Sequence, residues 1–224
     1  MKRVIIVWVI LVITTTAGNA QFFVEGSVGA RFWRLSYLNG VYKDNPPGHS
    51  LSVSPLVGYR LNKNVALGVR ATLVSDTEKG FLLNLDTGEK EPFERRGTGW
   101  SLAVFDRYKL WGRKKFSFLL ESSVYMSKYN HIEKRGTTTY RNENLSKFGI
   151  NAVPLISYDL SDRLSLMIAS DLLSLGLYAQ TLNYKDTGLK MKSVIFDFNI
   201  QSAFFDNLAG IRVGVIYHFK KTGK

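Results

Sequence analysis

The chain has 224 residues, of which 30 are Lys or Arg, 18 are Asp or Glu and none is Cys. This length suits one domain with a real core or one closed barrel. The lack of Cys excludes disulfides, thiol chemistry and Cys-based metal sites within these residues. The basic excess does not indicate nucleic-acid binding, because the Lys and Arg residues are scattered along the chain and form no single basic face.

The first twenty residues have the order of a targeting segment. Lys2 and Arg3 precede the apolar run 4–13, and the small residues Gly18 and Ala20 follow it. Ten apolar residues are too few to span a bilayer, and this order is typical of a secretory signal peptide. We expect residues 1–20 to be a signal peptide cleaved after Ala20, and 21–224 to form one domain. An N-terminal membrane anchor is the alternative.

From residue 22 onward, apolar residues recur at every second position, which is the period of a β-strand. The pattern predicts eight antiparallel strands and no amphipathic helix. They cover roughly 22–32, 51–61, 65–73, 100–108, 116–126, 148–158, 164–172 and 211–219. The segment 193–207 is also strand-like. We interpret it as an upward extension of the last strand, with a ten-stranded barrel as the alternative.

The two faces of these strands differ in kind. One face is almost continuously apolar, with Asp106 as the main exception, whereas the other mixes Gly, Ala and Ser with charge. Small residues beside charges suit a narrow interior better than a solvated surface. The pattern therefore predicts strands that are apolar outside and polar inside, as in lipid-embedded barrels. The charged positions on the inward face are Glu25, Arg31, Arg60, Arg70, Arg107, Glu121, Asp171 and Arg212.

The connections between the predicted strands alternate between short and long. Short ones fall at 62–64, 111–115 and 161–163. Long ones fall near 36–49, 75–97, 128–145 and 174–207. This alternation predicts an up-and-down barrel with all its short turns at one end. In membrane barrels the longer loops are extracellular.

A Tyr-x-Leu/Phe element recurs at the turn end of the even-numbered strands. It reads "YRL", "YKL", "YDL" and "YHF", beginning at Tyr59, Tyr108, Tyr158 and Tyr217. Tyr combines an apolar ring with a polar tip, so four of them at one height on the apolar face predict an aromatic girdle at a membrane–water boundary. The alternative is a core layer of tyrosines in a soluble barrel.

Three motifs carry a family resemblance: "SPLVGYRL" at 54–61, "LSDRLSL" at 160–166 and "GVIYHF" at 214–219. In order and spacing they resemble the small eight-stranded outer-membrane β-barrels of Gram-negative bacteria, of the OmpX/OmpA type, over the whole chain after residue 20. The resemblance implies the cell outer membrane as the location. It also implies that Tyr217 and Phe219 form the signal read by the barrel-assembly machinery. The residues "KKTGK" after Phe219 depart from the family pattern.

The inward charges predict a network in the lumen. Counted from the turn end, Arg70 and Glu121 lie at matching depth, as do Asp171, Arg212 and Arg31, and Glu25 completes the expected set. Charges inside a narrow barrel are costly unless paired. We interpret them as a structural network that fills the lumen, because eight strands leave room for side chains and little else. A proton or solute path is the alternative.

The sequence predicts no catalytic, cofactor or metal site. His49, His131 and His218 lie far apart, and His131 with Glu133 lacks a second imidazole. The resemblance brings no single function, since the family includes adhesion and resistance factors, structural proteins and a few enzymes. We expect a monomeric structural or surface-interaction protein without catalysis. Its expected partners are outer-membrane lipid, lipopolysaccharide and an unidentified extracellular ligand. The alternatives are a small-solute binding or transport barrel and a lipid-modifying enzyme.

Overall fold

The computed structural model describes residues 21–33, 48–83, 89–136, 138–170, 174–199 and 207–219. Within these ranges all regular secondary structure is β. The strands are β1 (Gln21–Trp33), β2 (Gly48–Arg60), β3 (Val65–Leu83), β4 (Lys90–Arg113), β5 (Phe116–Arg135), β6 (Thr138–Asp159), β7 (Leu164–Ser170), β8 (Ser174–Tyr184), β9 (Lys190–Asn199) and β10 (Asn207–His218). No described residue belongs to a helix long and apolar enough to cross a membrane. The predicted signal peptide lies outside the described residues.

Eight of the ten strands form a closed ring. Neighbours in sequence pair from β1 to β7, β10 pairs with β7, and β10 returns to β1, where Val28 is opposite Val213. Every pairing is antiparallel. The predicted eight-stranded up-and-down barrel is therefore confirmed. Short turns at residues 61–64, 114–115 and 160–163 lie at one end of the ring, which we call the turn end.

The two strands outside the ring form a hairpin on the upper part of β6. This strand pairs with β7 from Leu155 to Asp159 and with β8 from Glu143 to Ala152. Pro154 lies between the two stretches, where its missing N–H costs no ladder hydrogen bond. β9 pairs with β8, so the strand-like segment 193–207 begins as a hairpin arm; residues 200–206 lie outside the described part of the chain.

Three of the predicted long loops are instead mostly β-structure. The β3–β4 ladder runs to Leu83 opposite Lys90, and the β5–β6 ladder runs to Arg135 opposite Thr138. The β8–β9 hairpin occupies much of 174–207. The alternation of apolar and polar residues stops where neither face of the strand has to be apolar. The hydrogen bonds between the strands do not depend on this alternation and continue past that point. The fourth predicted loop, 36–49, lies outside the described residues except at its end, where β2 has begun.

The apolar face points outward along the whole ring. Val69 is 56% exposed, Val104 63% and Phe148 63%, although a soluble protein would bury such side chains. Fewer apolar residues point inward than outward, and those that do pack together as a core inside the barrel. It consists of Phe23, Leu56, Phe105, Val153, Leu155, Met167, Ala169 and Ile216.

Candidate functional site

Five charged side chains meet in the turn-side half of the lumen, with Glu121 at their centre. Its Oε2 accepts hydrogen bonds from Arg70 Nη2 at 2.5 Å and from Arg107 Nε at 2.8 Å. Its Oε1 lies 3.5 Å from Arg212 Nη2. Arg107 Nη1 reaches across to Glu25 Oε2 at 2.6 Å. We call these five residues the lumen network; it joins five strands through three guanidinium groups and two carboxylates.

The ladder register explains why these groups meet. Glu121 on β5 is directly opposite Arg107 on β4. Arg70 on β3 is opposite Ala103, whose small side chain lets the guanidinium pass over β4 towards Glu121. Glu25, Arg107 and Glu121 are each no more than 4% exposed. The charges are thus held out of water, where ion pairing is strong but desolvation is costly.

Arg107 is the network member that sequence reasoning missed. Its inward position was evident from the alternation, but the predicted set of matching charges did not include it. It bridges the two carboxylates, contacting Glu121 and Glu25 with different nitrogen atoms. Cross-strand register, rather than distance from the nearest turn, is the signal that places it beside Glu121. That register depends on the lengths of the turns and on the bulge between Lys109 and Trp111.

Aromatic rings support the buried guanidinium groups. The Cζ atoms of Arg70 and Arg107 lie 5.2 and 5.1 Å from the ring centroid of Phe105, and Arg107 Cζ lies 5.9 Å from that of Phe23. Such distances fit cation–π attraction. The Phe105 ring occupies the space above Gly68, where an added Cβ would come within 2.5 Å of it. The inward glycine therefore makes room for the ring.

The remaining predicted network residues have different positions. Arg212 belongs to the network, although its side chain is 19% exposed. Arg31 is exposed near the far end of β1 and, together with Arg212, lines a cavity in the lumen. Asp171 lies outside the described residues.

A polar cavity lies beyond the network, on the side away from the short turns. It has a volume of about 260 Å³ and is lined mainly by Ser50, Ser52, Ser54, Thr72, Arg31 and Arg212. Ser54 Oγ and Thr72 Oγ1 are 2.9 Å apart, and Ser27 Oγ donates to the Ser54 carbonyl at 3.2 Å. We call this cavity the vestibule. These hydroxyl groups form hydrogen bonds with one another and with the backbone, and they give the vestibule a polar lining.

A second charged cluster lies where the β3–β4 and β5–β6 hairpins extend past the apolar band. Arg95 lies 3.6 Å from Glu78 and 3.0 Å from Glu133, and Arg135 also contacts Glu133 at 3.2 Å. We call these four residues the rim cluster. Burial alone would raise the pKa of Glu133, but its bonds to Arg95 and Arg135 hold the pKa below its usual value.

His131, which the sequence did not predict to be a metal ligand, lies close to the rim cluster, to which Glu133 itself belongs. Among the residues that the structure describes, no three His, Asp or Glu side chains are arranged to hold a metal ion. Burial and then the charge of Arg95 lower the pKa of His131, which favours its neutral form. His49 on β2 lies at a similar level three strands away, because it is opposite Thr77, Thr77 is opposite Arg96 and Arg96 is opposite Ile132. His218 lies at the turn end, far along the barrel.

The four predicted girdle tyrosines all point outward at the turn end. Tyr108 and Tyr217 are exposed, whereas Tyr59 and Tyr158 are half-buried. The half-buried pair pack against neighbouring rings: Phe22 is 4.8 Å from Tyr59 and Phe116 is 4.7 Å from Tyr158. Tyr217 contacts Phe219 edge-to-face at 5.1 Å. The aromatic ring system thus marks one boundary of the outward apolar face.

Comparison with known proteins finds similar solved structures but no sequence relative. No protein-family model and no curated protein sequence matches the chain. A major outer membrane protein from Thermus thermophilus has 18% identity and a TM-score of 0.45, covering 90% of this chain and 100% of that one. Neisserial surface protein A has 14% identity and a TM-score of 0.38, covering 90% and 99%.

The attachment invasion locus protein Ail of Yersinia pestis has 11% identity and a TM-score of 0.37, covering 90% of this chain and 99% of that chain. These identities and TM-scores do not establish a shared function. The closed ring, the outward apolar face and the short turns at one end are features of this chain itself. On these features, the chain has the architecture of the small outer-membrane β-barrel proteins.

Proposed function

We propose that this chain is an integral outer-membrane protein whose lumen is sealed by its own side chains, with a structural or surface-interaction role and no catalysis. The outward apolar face carries the membrane part of the proposal. Residues such as Val69, Val104 and Phe148 are more than half exposed, so they need an apolar solvent. The aromatic residues at the turn end then lie at a lipid–water boundary.

The sealed lumen supports a role other than transport. Phe105, Leu155 and Met167 are at most 1% exposed, and the lumen network lies against this apolar layer. The vestibule therefore ends at buried, paired charges and close-packed side chains. A solute path through this layer would require several ion pairs to break together, which is expensive in a low-dielectric interior.

The extended hairpins support a role in surface interaction. The β3–β4 and β5–β6 ladders continue beyond the apolar band as long, regular hairpins. The β8–β9 hairpin differs from them, because it exposes Leu177, Val194 and Phe196. Lys128, Lys134 and Arg141 are among the basic residues on the β5–β6 hairpin. Such residues are suited to contact the phosphate groups of lipopolysaccharide. Assembly of the barrel through the signal at Tyr217 and Phe219 belongs to the same proposal.

Fractionation and conductance measurements test this function. Mature protein beginning at Gln21 is expected in the outer membrane, and the folded barrel is expected to migrate faster than the boiled form on a gel. Refolded protein in a planar bilayer is expected to show no steady conductance. Recovery from the periplasm would contradict the membrane assignment. A stable ion conductance would favour small-solute transport over the sealed-lumen role.

A further inference from the structure

The vestibule has positively charged walls and is closed on its turn side by the lumen network. Its volume is about 260 Å³, and no Asp or Glu is among the described residues that line it. Its charged lining residues are Arg31 and Arg212. The volume is just below the range of about 300–1,000 Å³ that is typical of pockets for drug-sized ligands. The vestibule is therefore suited to a small ligand that carries negative charge.

The lumen network has an excess of positive charge, and Arg212 brings this charge to the vestibule. Three guanidinium groups share two carboxylates in the network. The ion pair of Arg212 is 3.5 Å long, whereas the other three are 2.5, 2.6 and 2.8 Å. The Arg212 side chain is 19% exposed, and no other member exceeds 8%. The network member with the weakest ion pair is thus the one that a ligand can reach.

Arg31 brings a second guanidinium group to the same cavity. Arg212 is opposite Gly29, and Arg31 follows Gly29 by two positions on β1. Diagonal neighbours on one face of a sheet lie about 7–8 Å apart, which is within reach of long side chains. Because Arg31 is exposed, a ligand can reach it as well. An anion between the two guanidinium groups would relieve their mutual repulsion.

Hydroxyl groups line the vestibule from β2 and β3. Ser50, Ser52 and Thr72 are half-buried there, and a hydroxyl can both donate and accept a hydrogen bond. Gly29 on β1 makes room for this wall, because an added Cβ would come within 2.5 Å of Ser52 Oγ. Guanidinium groups on β1 and β10 and hydroxyl groups on β2 and β3 therefore surround one space. This arrangement suits an anion whose oxygens point in several directions better than a planar carboxylate.

We infer that the vestibule is a binding site for a phosphate group, either as the free ion or on a sugar-sized molecule. The guanidinium groups of Arg31 and Arg212 donate to the phosphate oxygens, a pairing that is strong and directional. The hydroxyl wall contacts the remaining oxygens or the hydroxyl groups of the sugar. Because the lumen network closes the turn side, the ligand enters and leaves on the opposite side. This site goes beyond the structural role proposed above, and a negative result here leaves that role unaffected.

Titration calorimetry of the refolded barrel tests the site and identifies the source of the phosphate group. Folded protein in uncharged detergent is titrated with sodium phosphate or with glucose 6-phosphate at pH 7.5, at constant ionic strength kept with sodium chloride. Saturable binding of one ligand per barrel is expected, and the tighter-binding probe identifies the source. Glucose is the uncharged control. Binding of neither phosphate probe, in barrel shown to be folded by gel migration, would overturn the proposal, as would glucose binding as tightly as glucose 6-phosphate.

Two arginine variants separate the site from general attraction to a basic protein. Arg31→Gln is expected to weaken phosphate binding about tenfold, as for one lost charge-assisted hydrogen bond. Arg31 is exposed, so this variant should fold. Arg96→Gln is the matched control, because Arg96 is also exposed but does not line the vestibule. The ladders place it at the level of Phe32, the neighbour of Arg31 in sequence. Equal losses in the two variants would overturn the site.

A third variant determines whether the chain supplies its own anion to the vestibule. Asp171, which the sequence analysis grouped with Arg31 and Arg212, lies outside the described residues. The same titrations are repeated with Asp171→Asn. Wild-type protein is expected to bind phosphate without this change. Binding that is found in Asp171→Asn but not in wild type would mean that a carboxylate of the chain occupies the place of the ligand, and it would overturn the proposal.

Discussion

The lumen network and the rim cluster use the same ion-pair chemistry in different surroundings. Glu121 is 2% exposed and bonds to arginines packed against Phe105. In the rim cluster the carboxylate of Glu133 is also buried, but Arg95 and Arg135 are about one-third exposed. Water can therefore replace the partners at the rim but not in the lumen. Ion pairing contributes most to the barrel where a broken pair cannot be resolvated.

The largest expected effect is the loss of Glu121. Glu121→Ala leaves the guanidinium groups of buried Arg70 and Arg107 and of partly exposed Arg212 without their central carboxylate, and we expect destabilisation of about 3–5 kcal/mol. Denaturant unfolding of the refolded barrel in lipid vesicles measures it. Glu94→Ala is the matched control, since Glu94 pairs with exposed Lys79 and Arg96, and should cost no more than about 1 kcal/mol. Equal losses would show that burial in the lumen does not make an ion pair more important than one at the surface.

The outward face gives the next effect. Val69→Arg and Val213→Arg place a charge near mid-bilayer and should each cost about 2–4 kcal/mol in vesicles. Gly68→Arg should fail for another reason, because any side chain there meets the Phe105 ring. Folding yield in vesicles and in detergent distinguishes the causes. The valine variants should recover in detergent, whereas the glycine variant should not. Wild-type folding of both valine variants in lipid would show that the assigned faces are wrong.

The coupling free energy between two residues of the lumen network is expected to be smaller than the stability lost in either single variant. Arg70→Ala and Glu121→Ala should be less than additive in the double variant, by about 0.5–3 kcal/mol, because each already removes the shared bond. The pair Arg107 and Glu121 should show the same sign. Unfolding free energies of the single and double variants give the coupling. Strict additivity would mean that Arg70 and Glu121 do not interact.

The smallest expected effect is a pH dependence at the rim. Burial would raise the pKa of Glu133, but Arg95 and Arg135 lower it overall. A lowered folded-state pKa gives stability that is present above the unfolded value, about 4.3, and is lost as pH falls through the folded value. Protection of the amides around Arg95 and Glu133 in the β4–β5 ladder against hydrogen exchange should therefore weaken as pH falls from about 6 to about 3. Glu133→Gln should abolish that change; an unchanged profile in the variant would contradict the assignment.

Sequence periodicity predicted the ring because lipid imposes an apolar outer face on each strand. The same dependence on lipid explains the error at the hairpins: beyond the apolar band the alternation of β3 and β4 fades, although their ladder continues to Leu83 and Lys90. Depth counted from the turns correctly associated Arg70 with Glu121. It omitted Arg107, because the residue that a side chain reaches depends on the cross-strand register and not on its distance from the nearest turn.

The seam between β1 and β10 joins the two ends of the described chain, with Phe23 opposite His218. All other contacts within the ring can form between strands closer in sequence, so this seam carries the greatest entropic cost of loop closure. Glu25 lies on one side of the seam and Arg212 on the other, and both reach residues on the opposite wall. The lumen network therefore connects strands on opposite sides of the barrel, and all of its bonds can form only after β1 and β10 have paired.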